Sequence, residues 1–481
     1  MNTHPAGLKT LFFTEMWERF SYYGMRAMLV LFMVDAVRGG MGLTDEIATA
    51  IYGLYTAGVY LAALPGGWIA DRILGARRAV FLGGAIIAAG HFTLAIPHRS
   101  FFFLGLILIV LGTGLLKPNI SVLVGELYPE GGARRDAGFT IFYMGINIGA
   151  ALGPLVCSSL GEKMNWHLGF AAAGIGMVFG LLQFWLAGSA LGSAGQLRAD
   201  AQKLSTRQRQ ALIAAALFGA AALILPLTGV IRIDPVSLAR SAAGVIVAVA
   251  VLYFGSIYLF AKLDSAELKR MHIIVILFLS SALFWAGFEQ AGSSFNLFAE
   301  RFTDRTLGSF NIPAGWYQSL GPIFVIAFAP VFAALWVRLG ARGKDPSVPV
   351  KFGLGLIQLA LGFVIMAGAA AMLAGGGKAA PWWLISTYLI HTFGELCLSP
   401  VGLSSVTKLA PPRLVGQMMG TWFLGSSLGN LVAGILAGRI KMDTTQPKPA
   451  DFLDLLWMPL ISGLALILLS PIIKRWSGGV K

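Results

Sequence analysis

The sequence predicts an all-α polytopic membrane protein with 14 transmembrane helices, and three observations carry that reading. Of 481 residues, 57% are hydrophobic and only 12% charged, where a soluble domain carries about 25% charged residues. Apolar runs of about 18–25 residues, each long enough to cross a bilayer, recur between short charged or Pro/Gly-rich segments. Lysine and arginine collect in alternate loops. With the N-terminus inside, 22 of the 36 fall in cytoplasmic segments and 11 outside, while Arg19, Arg26 and Lys117 lie within spans. This positive-inside bias places both termini in the cytoplasm.

The spans are expected near 11–34, 47–70, 79–97, 101–127, 137–160, 168–190, 210–228, 241–261, 272–299, 314–337, 351–374, 382–409, 413–438 and 453–473. The first holds E-M-W-E-R-F-S-Y-Y-G-M-R, Glu15 to Arg26, inside an otherwise apolar run. Each such charge costs about 2.5–3.5 kcal/mol at a helix centre, so the four must face a wet interior and neutralise one another. At 100° per residue, Glu15, Glu18, Arg19, Tyr22, Tyr23 and Arg26 share an arc of about 140°. One face of the helix is thus a polar, aromatic binding stripe within a membrane. The same run cannot be a signal peptide, since it holds those charges and no cleavage site follows it.

After the second span the chain reads G-G-W-I-A-D-R-I-L-G-A-R-R, Gly66 to Arg78. This resembles the signature loop of the major facilitator superfamily through Gly67, Asp71, Arg72, Gly75, Arg77 and Arg78. A fainter echo, R-L-G-A-R-G-K from Arg338 to Lys344, follows the tenth span. The resemblance implies a major facilitator fold arranged 6 + 2 + 6. Residues 1–190 would form an N-terminal six-helix bundle, and 191–271 a cytoplasmic linker with two extra helices. Residues 272–481 would form a C-terminal six-helix bundle. The extra spans are Ala-, Val- and Leu-rich without acids in their apolar cores, which predicts a lipid-facing, structural role. Parallel halves of this kind hold substrate near the midplane.

Ionisable residues within spans are the sharpest chemical signal. Lys117 lies some sixteen residues into the fourth apolar run, and Pro118 behind it is expected to open the helix and free backbone carbonyls. Asn147 is the one strongly polar side chain of the fifth span. In the ninth, Trp285, Glu289, Ser293 and Asn296 recur at i, i+4, i+8 and i+11, forming a second polar stripe. Glu289 has no basic residue nearby on its own helix, and Arg26 is the candidate partner for an ion pair that opens and closes. Glu395 stands alone in the twelfth span, and Trp422, Ser426 and Asn430 share a face of the thirteenth. Three intramembrane cations thus lie in the N-terminal half, and two of the four acids in the C-terminal half. A zwitterion fits this polarity, its carboxylate at the Arg/Lys cluster, where a planar guanidinium can bind both oxygens, and its ammonium near Glu395. A surplus acid supplies a proton site, because making or breaking its pair with a cation releases or loads a proton.

Other classes are excluded by what is missing. The net charge of +14 is spread through short loops, with no basic block interleaved with aromatics, which argues against nucleic acid. Cys157 and Cys397 sit in apolar runs and form neither a disulfide framework nor a metal spacing. The six histidines do not cluster with a nucleophile, so the chain is expected not to be an enzyme. No metal and no cofactor are expected. A receptor role leaves the mid-span charges on both halves unexplained.

The motifs converge on one family. E-M-W-E-R-F-S-Y-Y-G at Glu15–Gly24 resembles the E-x-x-E-R-F-x-Y-Y-G motif of proton-dependent oligopeptide transporters, here in the bacterial form with two extra central helices. The likeness continues in G-T-G-L-L-K-P at Gly112–Pro118, F-Y-M-G-I-N-I-G at Phe142–Gly149 and W-H-L-G-F at Trp166–Phe170. Further along come F-W-A-G-F-E-Q at Phe284–Gln290, G-E-L-C-L-S-P-V-G-L-S at Gly394–Ser404 and G-T-W-F-L at Gly420–Leu424. The resemblance implies symport of di- and tripeptides with protons across a bacterial cytoplasmic (inner) membrane. The gradient is the driving force, the protein is multi-pass, and the working unit is a monomer. It implies that Arg19, Arg26 and Lys117 handle the peptide carboxylate and that Asn147 and Glu395 take the amino end. Tyr22, Tyr23, Tyr60, Trp285, Trp422 and Ser426 would line side-chain pockets. Glu15, Glu18 and Glu289 would couple protons, and Arg26, Glu289, Lys117 and Glu395 would form the gating salt bridges. The nearest alternative is the same fold moving another small carboxylated solute, such as a peptide-like drug, a modified amino acid or nitrate. Two positions depart from the family pattern. Q-S-L-G-P at Gln318–Pro322 has Gly321 where an asparagine is common, which removes an amide from the amino-terminal side. Phe288 stands where tyrosine is common.

Overall fold

The computed structural model describes residues 4–477 except 131, 198–204, 209, 211–213, 215–218, 220, 222–224, 227, 229, 441 and 443–444. The expected seventh span, 210–228, and part of the linker before it lie largely outside the described residues. Among the described residues there are fourteen α-helices. The first six are α1 (Ala6–Val34), α2 (Asp45–Ile69), α3 (Ala76–Leu94), α4 (Arg99–Glu126), α5 (Gly132–Lys163) and α6 (Trp166–Leu186). Then come α7 (Pro235–Phe260), α8 (Ser265–Phe288), α9 (Ser294–Phe302), α10 (Leu320–Ala341) and α11 (Val348–Met372). The last three are α12 (Trp382–Leu409), α13 (Val415–Ala437) and α14 (Pro449–Trp476). Among the described residues ten helical segments are long and apolar enough to cross a membrane. Helix α1 is not one of the ten; Lys9, Glu15, Glu18, Arg19 and Arg26 dilute its apolar character.

Helix starts follow the chain's capping residues. The Asp264 carboxylate accepts from the amides of Ala266 and Glu267 at 2.8 and 2.7 Å, and Glu267 reaches back to the Asp264 amide, a capping box that opens α8. Asn165 caps α6 by accepting from the His167 amide at 2.8 Å. The helical plan has one small exception. Strands β1 (Thr306–Leu307) and β2 (Phe310–Asn311) form an antiparallel hairpin in which Thr306 faces Asn311 and Leu307 faces Phe310. Gly308, with φ +62°, makes the tight turn between them.

The chain divides into two compact units. The first comprises residues 1–28, 36–41 and 58–238. Its core gathers Leu8 and Leu11 of α1, Val80 and Ile87 of α3, Leu116, Ile120 and Leu123 of α4, Phe142 of α5, and Met177 and Phe184 of α6. Helices approach closely where side chains vanish: a Cβ on Gly66 of α2 would land on the Gly114 carbonyl of α4. In lipid, where burial of apolar surface no longer drives association, such small-residue contacts hold helices together.

The second unit comprises residues 29–35, 42–57 and 239–481, so it includes the first half of α2. Its centre is aromatic: Phe284, Phe295, Phe298, Phe352, Phe363 and Phe452 are wholly buried. Gly53 of α2 and Gly434 of α13 bring their backbones together, a Cβ on Gly53 falling 3.1 Å from the Gly434 Cα. Asp45 in the first turn of α2 and Arg301 near the end of α9 form a two-pronged ion pair, at 2.6 and 2.8 Å. Helix α7, expected to face lipid, does so on one side only. Ala239, Ile246, Ala250, Phe254 and Ile257 are buried, while Val245, Val251, Leu252 and Leu259 are exposed. Phe254 packs edge-on against Phe278 of α8, and the Tyr253 hydroxyl donates to Gln417 of α13 at 3.1 Å.

Candidate functional site

In the first unit the charges of α1 are arranged as the stripe requires. Glu15, Glu18 and Arg19 are almost completely buried. The Arg19 Nε lies 3.1 Å from Glu15 Oε1 and also donates to Glu18 Oε2, so one guanidinium serves two carboxylates of its own helix. That local neutralisation is what lets three charges occupy a buried helix face. The Arg19 guanidinium carbon lies 5.2 Å from the centre of the Tyr22 ring, and that of Arg26 lies 5.3 Å from the Tyr23 ring. The two tyrosines meet edge-on at 5.2 Å. Lys117 of α4 sets its Nζ 4.2 Å from the Tyr60 ring centre of α2. Cations over aromatic faces gain about 2 kcal/mol or more when desolvated.

One detail of this unit differs from the sequence reading. Pro118 does not open α4, which runs unbroken from Arg99 to Glu126. Pro118 lacks an N–H to give the Gly114 carbonyl, and it is against that carbonyl that Gly66 packs. The next residue, Asn119, donates its amide to the Leu115 carbonyl at 2.7 Å and to Gly66 at 3.4 Å, stitching α4 to α2. Asn147 is buried, and its amide donates to the Tyr143 carbonyl one turn earlier at 3.0 Å.

The signature loop is built as a tight, tied corner. Helix α2 closes in a π-turn over Ala70–Leu74, leaving Asp71 and Arg72 exposed. Gly75 follows with φ +77°, a conformation costly for any other residue. Arg77 then bonds the segment after α6, its amide donating to Gly195 at 3.0 Å and its Nη2 to Gly188 at 2.7 Å. The Gly195 amide donates to Glu126 Oε2 at 2.6 Å. The beginning of the expected linker is therefore strapped to the loop.

In the second unit the ninth span is not one helix. Helix α8 ends at Phe288, Glu289–Gly292 form a 3-10 turn, and α9 starts at Ser294. The expected i, i+4, i+8, i+11 stripe of Trp285, Glu289, Ser293 and Asn296 is therefore bent at its second member. Side chains hold the break. Gln290 donates to the Ala286 and Ala433 carbonyls at 3.2 and 3.1 Å, Ser294 donates to Gln290 at 2.6 Å, and Tyr388 donates to the Ala291 carbonyl at 3.1 Å. Glu289 lies at that break, buried, and accepts from the Tyr52 hydroxyl of α2 at 3.2 Å.

Glu395 is half-buried on α12, one turn beyond His391, whose Nε2 bonds the Leu359 carbonyl at 3.0 Å. Trp422, Ser426 and Asn430 do share a face of α13: Ser426 donates to the Trp422 carbonyl at 3.4 Å and Asn430 to that of Ser426 at 2.8 Å. Trp285 is half-buried, edge-on to Phe284 and Phe288. A Cβ added at Gly321 would meet nothing within 4 Å, so the missing side chain leaves open space.

Sequence reasoning missed Tyr52 and Asn119. Thr49, Tyr52, Thr56 and Tyr60 recur at i, i+3, i+7 and i+11 along α2, a periodicity that was there to be found. Asn119 carried no signal beyond its place behind Pro118.

Helices of spanning length, with charged and aromatic stripes buried in both units, define a polytopic membrane protein of the transporter class. The sequence profile of the POT family matches residues 77–451. The peptide transporter YePEPT of Yersinia enterocolitica is 44% identical over 98% of this chain and 95% of its own length. The di-/tripeptide transporter of Lactococcus lactis subsp. cremoris is 38% identical over 92% of this chain and 90% of its own. Among solved structures, the peptide transporter POT crystallised with sulfate superposes with a TM-score of 0.90 at 41% identity, covering 98% of this chain and 96% of that one. The chain belongs to the POT family of peptide transporters.

Proposed function

We propose that the protein is a proton-coupled symporter that imports di- and tripeptides by alternating access. The observation that carries the coupling is Glu289: a buried carboxylate at a break in a membrane helix, held by a hydroxyl from another helix. A carboxyl so placed can gain or lose a proton at little structural cost, since the helix is already interrupted there. Peptide as the cargo is supported by the relatives named above, and the di- or tripeptide length by the Lactococcus protein.

Arg26 and Lys117 take the peptide carboxylate, with Arg19 adding charge from its place beside Glu15 and Glu18. Asn147 and Glu395 take the amino end. Tyr22, Tyr23, Tyr60, Trp285, Trp422 and Ser426 line the side-chain pockets. Glu15 and Glu18 join Glu289 in proton coupling. Arg26 with Glu289, and Lys117 with Glu395, are the gating pairs; the balance of cations and acids along the sequence supports this pairing. The excess of Lys and Arg in alternate loops supports cytoplasmic termini. The working unit in this reading is a monomer, in a cytoplasmic membrane. No cofactor is needed when the gradient supplies the energy.

The test is uptake of labelled dialanine into liposomes under an imposed pH gradient, with proton flux recorded alongside. Dialanine is expected to accelerate proton entry. Glu289→Gln should retain exchange of labelled for unlabelled dialanine yet lose uphill accumulation. If the variant concentrates dialanine as the wild type does, Glu289 is not the coupling site. If dialanine moves no protons in the wild type, symport itself is refuted.

A further inference from the structure

We infer that Tyr52 is a positioning residue for proton coupling: its hydroxyl fixes the Glu289 carboxylate at the α8–α9 break and sets the acidity at which uptake is driven. This rests on the proposed role of Glu289.

Several independent contacts leave Tyr52 no freedom to do otherwise. It is wholly buried, as are Thr49 and Thr56 one turn to either side. The first half of α2 is fixed at three levels. Asp45 is forked to Arg301, Gly53 lies against Gly434, and the Ser427 hydroxyl donates to the Ala57 carbonyl at 3.0 Å. The phenol therefore arrives at a set height and points at the break. On the other side, Gly292 closes the 3-10 turn immediately under that hydroxyl: a Cβ there would fall on the Tyr52 oxygen. Any side chain at 292 would push the donor away from Glu289. The donor thus comes from α2, while the acceptor and the space before it come from the 3-10 turn.

The chemistry follows from the direction of the bond. A phenolic O–H donated to a carboxylate favours its ionised form over its protonated form. Other charged or titratable groups face the same region. Helix α12 brings Glu395, within electrostatic reach of Glu289, and His391, whose ring lies 6.3 Å from that of Phe288. Helix α9 carries Glu300 and Arg301, the latter committed to Asp45. Helix α13 carries no titratable side chain in Val415–Ala437. Arg26 is the proposed gating partner. Unlike Glu395, Glu300 and Arg301, Tyr52 is a neutral group: it steadies the ionised state without adding a charge that must itself be neutralised.

The experiment compares wild type, Tyr52→Phe, Glu289→Gln and the double variant in liposomes, reading pH-driven dialanine uptake against external pH, with counterflow as the check on folding. Phenylalanine keeps the ring and removes only the donor. Without it the hydroxyl no longer favours the ionised carboxylate, so half-maximal uptake should move to higher pH. In the Glu289→Gln background the same substitution should leave the pH profile where it is. Should Tyr52→Phe fail the counterflow check, Gly292→Ala displaces the hydroxyl while keeping it, and the same upward shift is expected. A Tyr52→Phe profile superimposable on wild type, with Glu289→Gln flattened, overturns the role of Tyr52 and leaves Glu289 standing. A Glu289→Gln protein that keeps the wild-type profile overturns both.

Discussion

Cutting the Asp45–Arg301 pair offers the most direct measure of what holds the first half of α2 in place. Both guanidinium prongs meet the carboxylate, at 2.6 and 2.8 Å, a geometry that a lysine could not reproduce. The Asp45 side chain is 2% exposed and that of Arg301 24%. Removing one partner of a fully buried pair costs about 3–5 kcal/mol, because the survivor is stranded. Exposed pairs contribute only about 0–1 kcal/mol. Water can reach the Arg301 side of this one, so Asp45→Ala should cost about 2–3 kcal/mol, in between. Asp45 also sits in the first turn of α2, where a negative charge favours the helix by some tenths of a kcal/mol. Reversible unfolding of the purified protein in mixed detergent and SDS micelles measures the loss. The decisive comparison is the double variant. Asp45→Ala with Arg301→Ala leaves no stranded charge, so it should be less destabilised than the sum of the singles by roughly 1–3 kcal/mol. Additivity within about 0.5 kcal/mol would refute the reasoning, since the pair would then not be coupled in the folded protein.

Two further outcomes test other parts of the structure. Gly321→Asn should leave the thermal midpoint of the purified transporter unchanged, because open space surrounds the glycine, while changing the KM for dialanine; a lowered midpoint would show that the space is not there. Asp304 lies outside the spans, and hydrogen bonds from the Thr306 hydroxyl and amide hold its carboxyl below its ordinary value of 3.8. A depressed folded-state value means that this support is fully present above the ordinary value and is lost as pH falls through the lowered one. Thr306→Val should therefore speed hydrogen exchange in residues 303–313 near neutral pH, and the difference from wild type should shrink as pH falls through that lowered value; a gap that does not shrink in acid would contradict the assignment.

Much of the helical plan was legible because each span leaves the same trace, an apolar run ended by charge or by Pro and Gly. The expected twelfth span and α12 coincide at residues 382 and 409. The stripe of α1 was legible for a second reason: four charges within a bilayer-length run have few solutions, and pairing on one face is the cheapest. The break at Glu289 left no such trace. F-W-A-G-F-E-Q-A-G-S-S-F-N holds no proline, and its spacing suits a continuous helix. What bends it are donors from elsewhere, Tyr388 and the Gln290 bridge to Ala433, and these are tertiary facts. The hairpin at 306–311 was hidden likewise, being two residues to a strand. Pro118 shows the converse error. A proline in a membrane helix frees a carbonyl, but the freed group need not open the helix when a neighbouring backbone packs against it.

The two units satisfy their buried acids by different means, and the difference bears on which acid can act as a switch. Arg19, a residue of the same helix and within four positions of either, pairs with both Glu15 and Glu18, so that pairing travels with α1 wherever it goes, while the second negative charge is left to groups on other helices such as Lys117 of α4, which acts on Glu15. Such a cluster lowers the cost of keeping charge in the membrane, but a rigid-body movement of α1 cannot break it. Glu289 is held by a hydroxyl 237 residues away in the chain, from a helix that is clamped by Asp45, Gly53 and Ala57. Its environment depends on a tertiary contact, and a tertiary contact is what helix movement changes. A coupling site must sense conformation through such a contact. On that ground we propose that Glu289 leads the coupling, and that Glu15 and Glu18 join it through Lys117 of α4.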